Sequence, residues 1–158
     1  MTSDDKHAAK CELAGEVLRS SGRLSLKVTG WSMLPAIWPG DTLVIEAARG
    51  DDFSEGDIVL FRVANRFVAH RLMTKNCALG KSTVLTQGDA VRRPDAPVAD
   101  GDLLGKVSSI VRNGKSIAPS RDLRFSERAV AALFRRSEIA ARVVVGVHGI
   151  RQDSPTQL

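Results

Sequence analysis

The sequence predicts a mainly β protein: a compact, bent, barrel-like sheet with one helix before it and a helical tail after it. Three observations predict this. Between about residues 23 and 119, apolar residues alternate with polar ones or form short runs, with no helical spacing. Gly-Asp pairs at 40–41, 50–51, 56–57, 88–89 and 101–102 turn the chain between these segments. Helical periodicity occurs only at the two ends. Strands that follow one another without interleaved helices favour a bent β core over an α/β sheet. A chain of 158 residues suits one core with appendages. The expected divisions are an N-terminal helix over 1–22, a β core over 23–119 and a basic helical extension with tail over 120–158.

Ser3 or Asp4 can cap the first helix, whose apolar residues Leu13, Ala14, Val17 and Leu18 share a face. Ser20-Ser21-Gly22 ends it. Leu24, Leu26 and Val28 then alternate as a strand, and Thr42 to Glu46 reads as a short buried one. Ile58–Val63 and Phe67–Met73 are separated only by Ala64-Asn65-Arg66, which predicts a hairpin. Thr83–Thr86 is a further strand. Leu103–Val111 turns at Asn113-Gly114 into Lys115–Ala118, and Asn-Gly suits the positive φ angles of a two-residue turn. Past Pro119, arginines at 121, 124, 128, 135, 136 and 142 interleave with Leu123, Phe125, Val130, Leu133, Phe134 and Ile139. This predicts a helix of about four turns capped by Ser126. It either packs on the core or lies, as a basic amphipathic helix, on a membrane surface or protein partner. Gln152 to Leu158 reads as a frayed tail.

Bulk properties narrow the function classes. The net charge of +5 permits an anionic partner, but no nucleic-acid recognition motif accompanies it, so no nucleic acid is expected. Cys11 and Cys77 form no framework or CxxC, which fits a reducing, cytoplasmic setting. The N-terminus lacks a basic region followed by an apolar one, so no secretory signal is expected. The apolar stretch 139–150 is too short to span a bilayer, which takes about 20 residues. His70 has no neighbour at metal-ligand spacing and no phosphate-binding loop occurs, so neither metal nor cofactor is expected.

Three separated stretches carry the chemistry. Ser32 lies in Gly30-Trp31-Ser32-Met33-Leu34-Pro35, a tight turn that can present a hydroxyl beside backbone N–H groups. His70, one of only three histidines, lies in Val68-Ala69-His70-Arg71-Leu72 on the strand face of Val68 and Leu72. Asp89 and Asp95 follow the strand that ends at Thr86. A serine hydroxyl needs a base within reach, and that base needs a third group to hold its tautomer. Taken singly, each of these residues also fits an ordinary turn or core position.

Together, six ordered blocks carry a family resemblance. They are Gly30-x-Ser32-Met33-x-Pro35, Pro39-Gly40-Asp41, Gly56–Arg62, Val68–Leu72, Leu85–Asp89 and Leu104-Gly105-Lys106-Val107. Over about Leu26 to Val107 the chain resembles the catalytic core of type I signal peptidases and the related LexA-like autoproteases. In bacterial signal peptidases and LexA-like proteases the base on this strand is lysine. His70-Arg71 is closer to the histidine-type signal peptidases of archaea and the endoplasmic reticulum, which also carry a second aspartate six residues after Gly-Asp. The resemblance implies Ser32 as nucleophile, His70 as general base and Asp95 as orienting acid, with Asp89 in support. It also implies a β-rich fold and a peptide bound as an extended strand with small side chains beside the cut. Those peptidases carry a transmembrane helix where this chain has a polar one, and a LexA-like DNA-binding domain has no room before the core. The expectation is therefore a soluble serine endopeptidase acting on a dedicated peptide or protein. The alternatives are a self-processing protein, for which Ala14-Gly15 is the one candidate cut, and an inactive binding module using the basic helix.

Overall fold

The computed structural model describes residues 3–64, 66–78, 81–123 and 125–136. Helix α1 (Ser3–Ser21) leads into eight strands: β1 (Arg23–Lys27), β2 (Thr42–Ala47), β3 (Ile58–Val63), β4 (Arg66–Ala78), β5 (Lys81–Gln87), β6 (Val98–Ala99), β7 (Leu103–Arg112) and β8 (Lys115–Ile117). Helix α2 (Phe125–Arg136) follows them. Asn65, the run 139–150 and the tail 152–158 lie outside the described residues, as do the side chains of Ser3, Asp4 and Ser126 expected to cap the helices.

All the strands join one antiparallel sheet in the order β1-β2-β7-β3-β4-β5-β6, with β8 added to β7. The sheet is open, with β1 and β6 at its two ends. Register shifts at Val44/Ile45, Leu60/Phe61 and Leu72/Thr74 bend it. The mainly β expectation therefore holds, with the predicted helix on either side.

Strand β3 explains how the sheet packs. Its residues Ile58, Val59, Leu60 and Phe61 are all buried, because both faces are covered. Ile58 and Leu60 join Leu18, Met33, Ile37, Leu43, Ile45, Val107 and Ile110 on one side. Val59 and Phe61 join Ala48, Phe53, Leu72, Val84 and Leu103 on the other. Each such side chain contributes about 1.5–3 kcal/mol relative to exposure. A continuous apolar run is what a strand covered on both faces requires.

Two local expectations change. On α1, Leu18 is buried while Leu13 is 63% and Val17 39% exposed. The covered stripe runs instead through Cys11, Ala14, Gly15 and Leu18, at helical spacing, and it is narrower than the four apolar residues suggest. Strand β4 extends to Ala78, past the expected Met73, because β5 pairs with it as far as Ala78↔Lys81. The Asn113-Gly114 turn has φ of 50° and 74°, the two positive values of the predicted tight hairpin.

Candidate active site

The loop from 28 to 41, which carries Ser32, is closed at its base. Val28 N–H donates to Asp41 O at 2.8 Å, and Gly40 N–H donates to Val28 O at 2.9 Å. Asp41, itself buried, accepts from Arg112 Nη2 at 2.7 Å and from Trp38 N–H at 2.8 Å. Above this base Met33, Leu34 and Ile37 are buried, which pins the turn that begins at Ser32. An apolar residue on each turn of this segment is why a short loop without regular structure holds one position.

His70 is supplied by β4, buried at 8% exposure, with the Phe61 ring edge-on at 6.2 Å between centroids. Its Nε2 lies 2.9 Å from Ser32 Oγ. Its Nδ1 lies 2.6 Å from Asp95 Oδ2. With Nδ1 donating to the carboxylate, Nε2 is left as acceptor for the serine hydroxyl. Asp95 is held in turn. Its backbone N–H donates to Thr86 O at 2.8 Å, and Thr86 Oγ1 donates to Asp95 Oδ2 at 2.7 Å. Burial pushes the Asp95 carboxyl up, but hydrogen bonds from His70 and Thr86 and the charge of His70 outweigh it. The net effect holds the group below its ordinary 3.8.

Asp89 lies elsewhere. Both its oxygens accept from Arg71, Oδ1 from Nε at 2.9 Å and Oδ2 from Nη2 at 2.8 Å. Direct support of the imidazole by Asp89 is therefore not what the geometry provides. Arg71 spends Nη1 on the carbonyls of Gly56, Ser120 and Arg121, at 2.8, 2.7 and 3.0 Å. The pair thus ties the 88–95 loop to β4, to the 56–57 turn and to the segment leading into α2. Gly56 admits that segment, because a Cβ there would stand 2.8 Å from Arg121 O.

Four residues at the site, Gly88, Ala90, Thr86 and Arg71, were given no role of their own from the sequence. Gly88 is the closest in: a Cβ there would meet Ser32 O at 2.7 Å and His70 Nε2 at 3.1 Å. Beside it, Ala90 N–H donates to Ser32 O at 2.8 Å. The Gly-Asp signal marked a turn and hid a close approach. Thr86 was visible only as a strand residue. Arg71 did carry a usable signal, since alternation set it among Phe67 and Ala69, and a charge on an apolar face needs a buried partner. Helix α2 closes this side. Phe134 packs with Leu34 and Ala90 against Trp31 and Trp38, and Arg135 Nε donates to Asp89 O at 2.8 Å.

A serine hydroxyl, an imidazole and a carboxylate in hydrogen-bonded line on an antiparallel sheet make the layout of a serine-peptidase-type protein. The Peptidase S24-like family model matches residues 1–79, half of the chain, and the chain belongs to that family. The matched part includes Ser32 and His70. No curated protein matches the chain. Among the described residues, no group of three or more His, Cys, Asp or Glu side chains is placed to hold a metal. Nor is any helix among them long and apolar enough to cross a membrane.

Proposed function

We propose that this protein is a serine endopeptidase of the histidine-based type, acting in the cytoplasm on one dedicated peptide or protein. Ser32 attacks the substrate carbonyl, and His70 takes the hydroxyl proton and later gives it to the leaving amine. Asp95 holds the imidazole tautomer, and water resolves the acyl-enzyme. The tight turn at Ser32 is the source of the backbone N–H groups that this reading assigns to the developing oxyanion. The observation that carries this reading is the unbroken line of 2.9 and 2.6 Å contacts from Ser32 Oγ through His70 to Asp95. The substrate lies extended, its main chain supplying affinity and a few pockets supplying choice.

Self-processing is less well supported. Ala14 and Gly15 lie within α1, and Gly15 is buried, so that peptide bond is neither extended nor accessible. The test is covalent labelling of the purified protein with a fluorophosphonate, followed by cleavage of a peptide library. Ser32 is expected to carry the label, and Ser32→Ala is expected to lose both labelling and cleavage while keeping its circular dichroism. Cleavage that survives in Ser32→Ala refutes the assignment.

A further inference from the structure

The loop between β5 and β6 carries four charges close to the candidate site: Asp89, Arg92, Arg93 and Asp95. Its two acids are engaged internally, Asp89 with Arg71 and Asp95 with His70 and Thr86. Its two bases are not. Arg92 and Arg93 are both exposed, and among the described residues neither makes a hydrogen bond or an ion pair. The surface of this loop is therefore cationic, although its composition is balanced.

Both ends of the loop touch the imidazole environment, Gly88 beside Nε2 and Asp95 on Nδ1. Consecutive Cα atoms are 3.8 Å apart, so the Cα of Arg93 lies within about 7.6 Å of that of Asp95. Arg135 on α2, exposed and bonded through Nε to Asp89 O, adds a third cation on the same side.

Resting on the peptidase reading, we infer that the site selects acidic substrates: peptides carrying Asp or Glu within about four residues of the scissile bond, recognised by Arg92 and Arg93. Ala90 of this loop donates its N–H to Ser32 O at 2.8 Å, so an extended peptide crossing Ser32 runs beside the loop, where opposite charges attract and a basic flank is repelled. The same field disfavours a second copy of this chain, whose net charge is +5.

The test gives wild type and Arg92→Glu/Arg93→Glu a proteome-derived peptide library at about 50 mM salt, with cut sites read by mass spectrometry. Wild type is expected to enrich Asp and Glu around its cuts, and the variant to lose that enrichment. On an acidic peptide taken from the wild-type cuts, kcat/KM should fall about 3- to 30-fold, as two exposed charge contacts allow. The difference should shrink in 1 M salt. Fluorophosphonate labelling of wild-type Ser32 separates the failures. A labelled serine whose cuts show no acidic enrichment overturns this inference alone, whereas an unlabelled serine with no cuts overturns the peptidase reading as well. If the variant keeps the wild-type cut pattern but loses binding to phosphatidylserine vesicles, the arginines serve a lipid surface and the inference is overturned.

Discussion

His70 and Arg71 are neighbours on β4, and each pairs with an aspartate from the loop after β5, yet the two pairs have different natures. The Arg71–Asp89 side chains are 8% and 4% exposed, with every contact directed at carboxylate or backbone oxygen. The His70–Asp95 side chains are 10% and 26% exposed, and the second imidazole nitrogen faces a hydroxyl. Guanidinium stays charged at any ordinary pH, so the first pair can only hold position. Imidazole can take and return a proton, and its partner reaches water. Two consecutive residues therefore divide the loop between anchoring and chemistry: Arg71 fixes where Gly88 to Ala90 lie, and those residues fix Ser32 against His70.

Exchanging one aspartate at a time breaks this comparison most sharply. Asp95→Asn should lower kcat by about 10³- to 10⁴-fold through loss of the correct tautomer, with little change in the urea midpoint. Asp89→Asn should do the reverse, costing about 3 kcal/mol in urea unfolding because a buried guanidinium loses its counter-charge. At temperatures where it is folded, its rate should retain the wild-type pH profile. Equal losses of rate and stability in both variants would erase the distinction.

Gly88→Ala tests how the anchor transmits position to the site. A methyl group 2.7 Å from Ser32 O and 2.9 Å from Val91 Cγ2 must displace one of them. A shift of a fraction of an ångström at Ser32 should lower kcat/KM about 10- to 100-fold. Wild-type kinetics in that variant would mean that the loop yields instead.

Thr86→Val is the mildest change. It removes one donor to Asp95, so the carboxyl should rise toward its ordinary value of 3.8, as followed by NMR titration. A depressed carboxyl contributes stability that is present above its unfolded pKa and lost as pH falls through its folded one. Raising the folded value shrinks that contribution, so the acid-unfolding midpoint of the variant should move to higher pH. An unmoved titration would mean that the imidazole alone holds Asp95 ionised.

Much of this was legible in the amino-acid order. Alternation, short apolar runs and Gly-Asp or Asn-Gly turns located seven of the eight strands, because those signals are local and repeat along the chain. Strand β6 escaped, since two residues paired with Thr83 and Val84 leave no period to read. His70 stood out through rarity and Ser32 through its motif, and the Peptidase S24-like match over residues 1–79 agrees with the LexA-like part of the resemblance.

The residues taken by themselves left Asp89 and Asp95 undecided, and only the family resemblance favoured Asp95. Both follow the same strand, both are short acids beside turns, and local spacing favours neither. What separates them is which face of β4 each meets, and that depends on the bulge at Leu72/Thr74 and on Thr86 O capturing the Asp95 N–H. The packing of α2 was equally hidden, because its apolar residues suit a core or a partner. Ala131 and Phe134 are buried, while Leu133 is 61% exposed. Element type, turn chemistry and the candidate reactive groups follow from short-range patterns and were set by the sequence alone. Which carboxylate meets the imidazole, and how closely Gly88 lets Ser32 approach it, only the tertiary structure decided. Those contacts join residues 18 to 56 positions apart, and only packing fixes such distances.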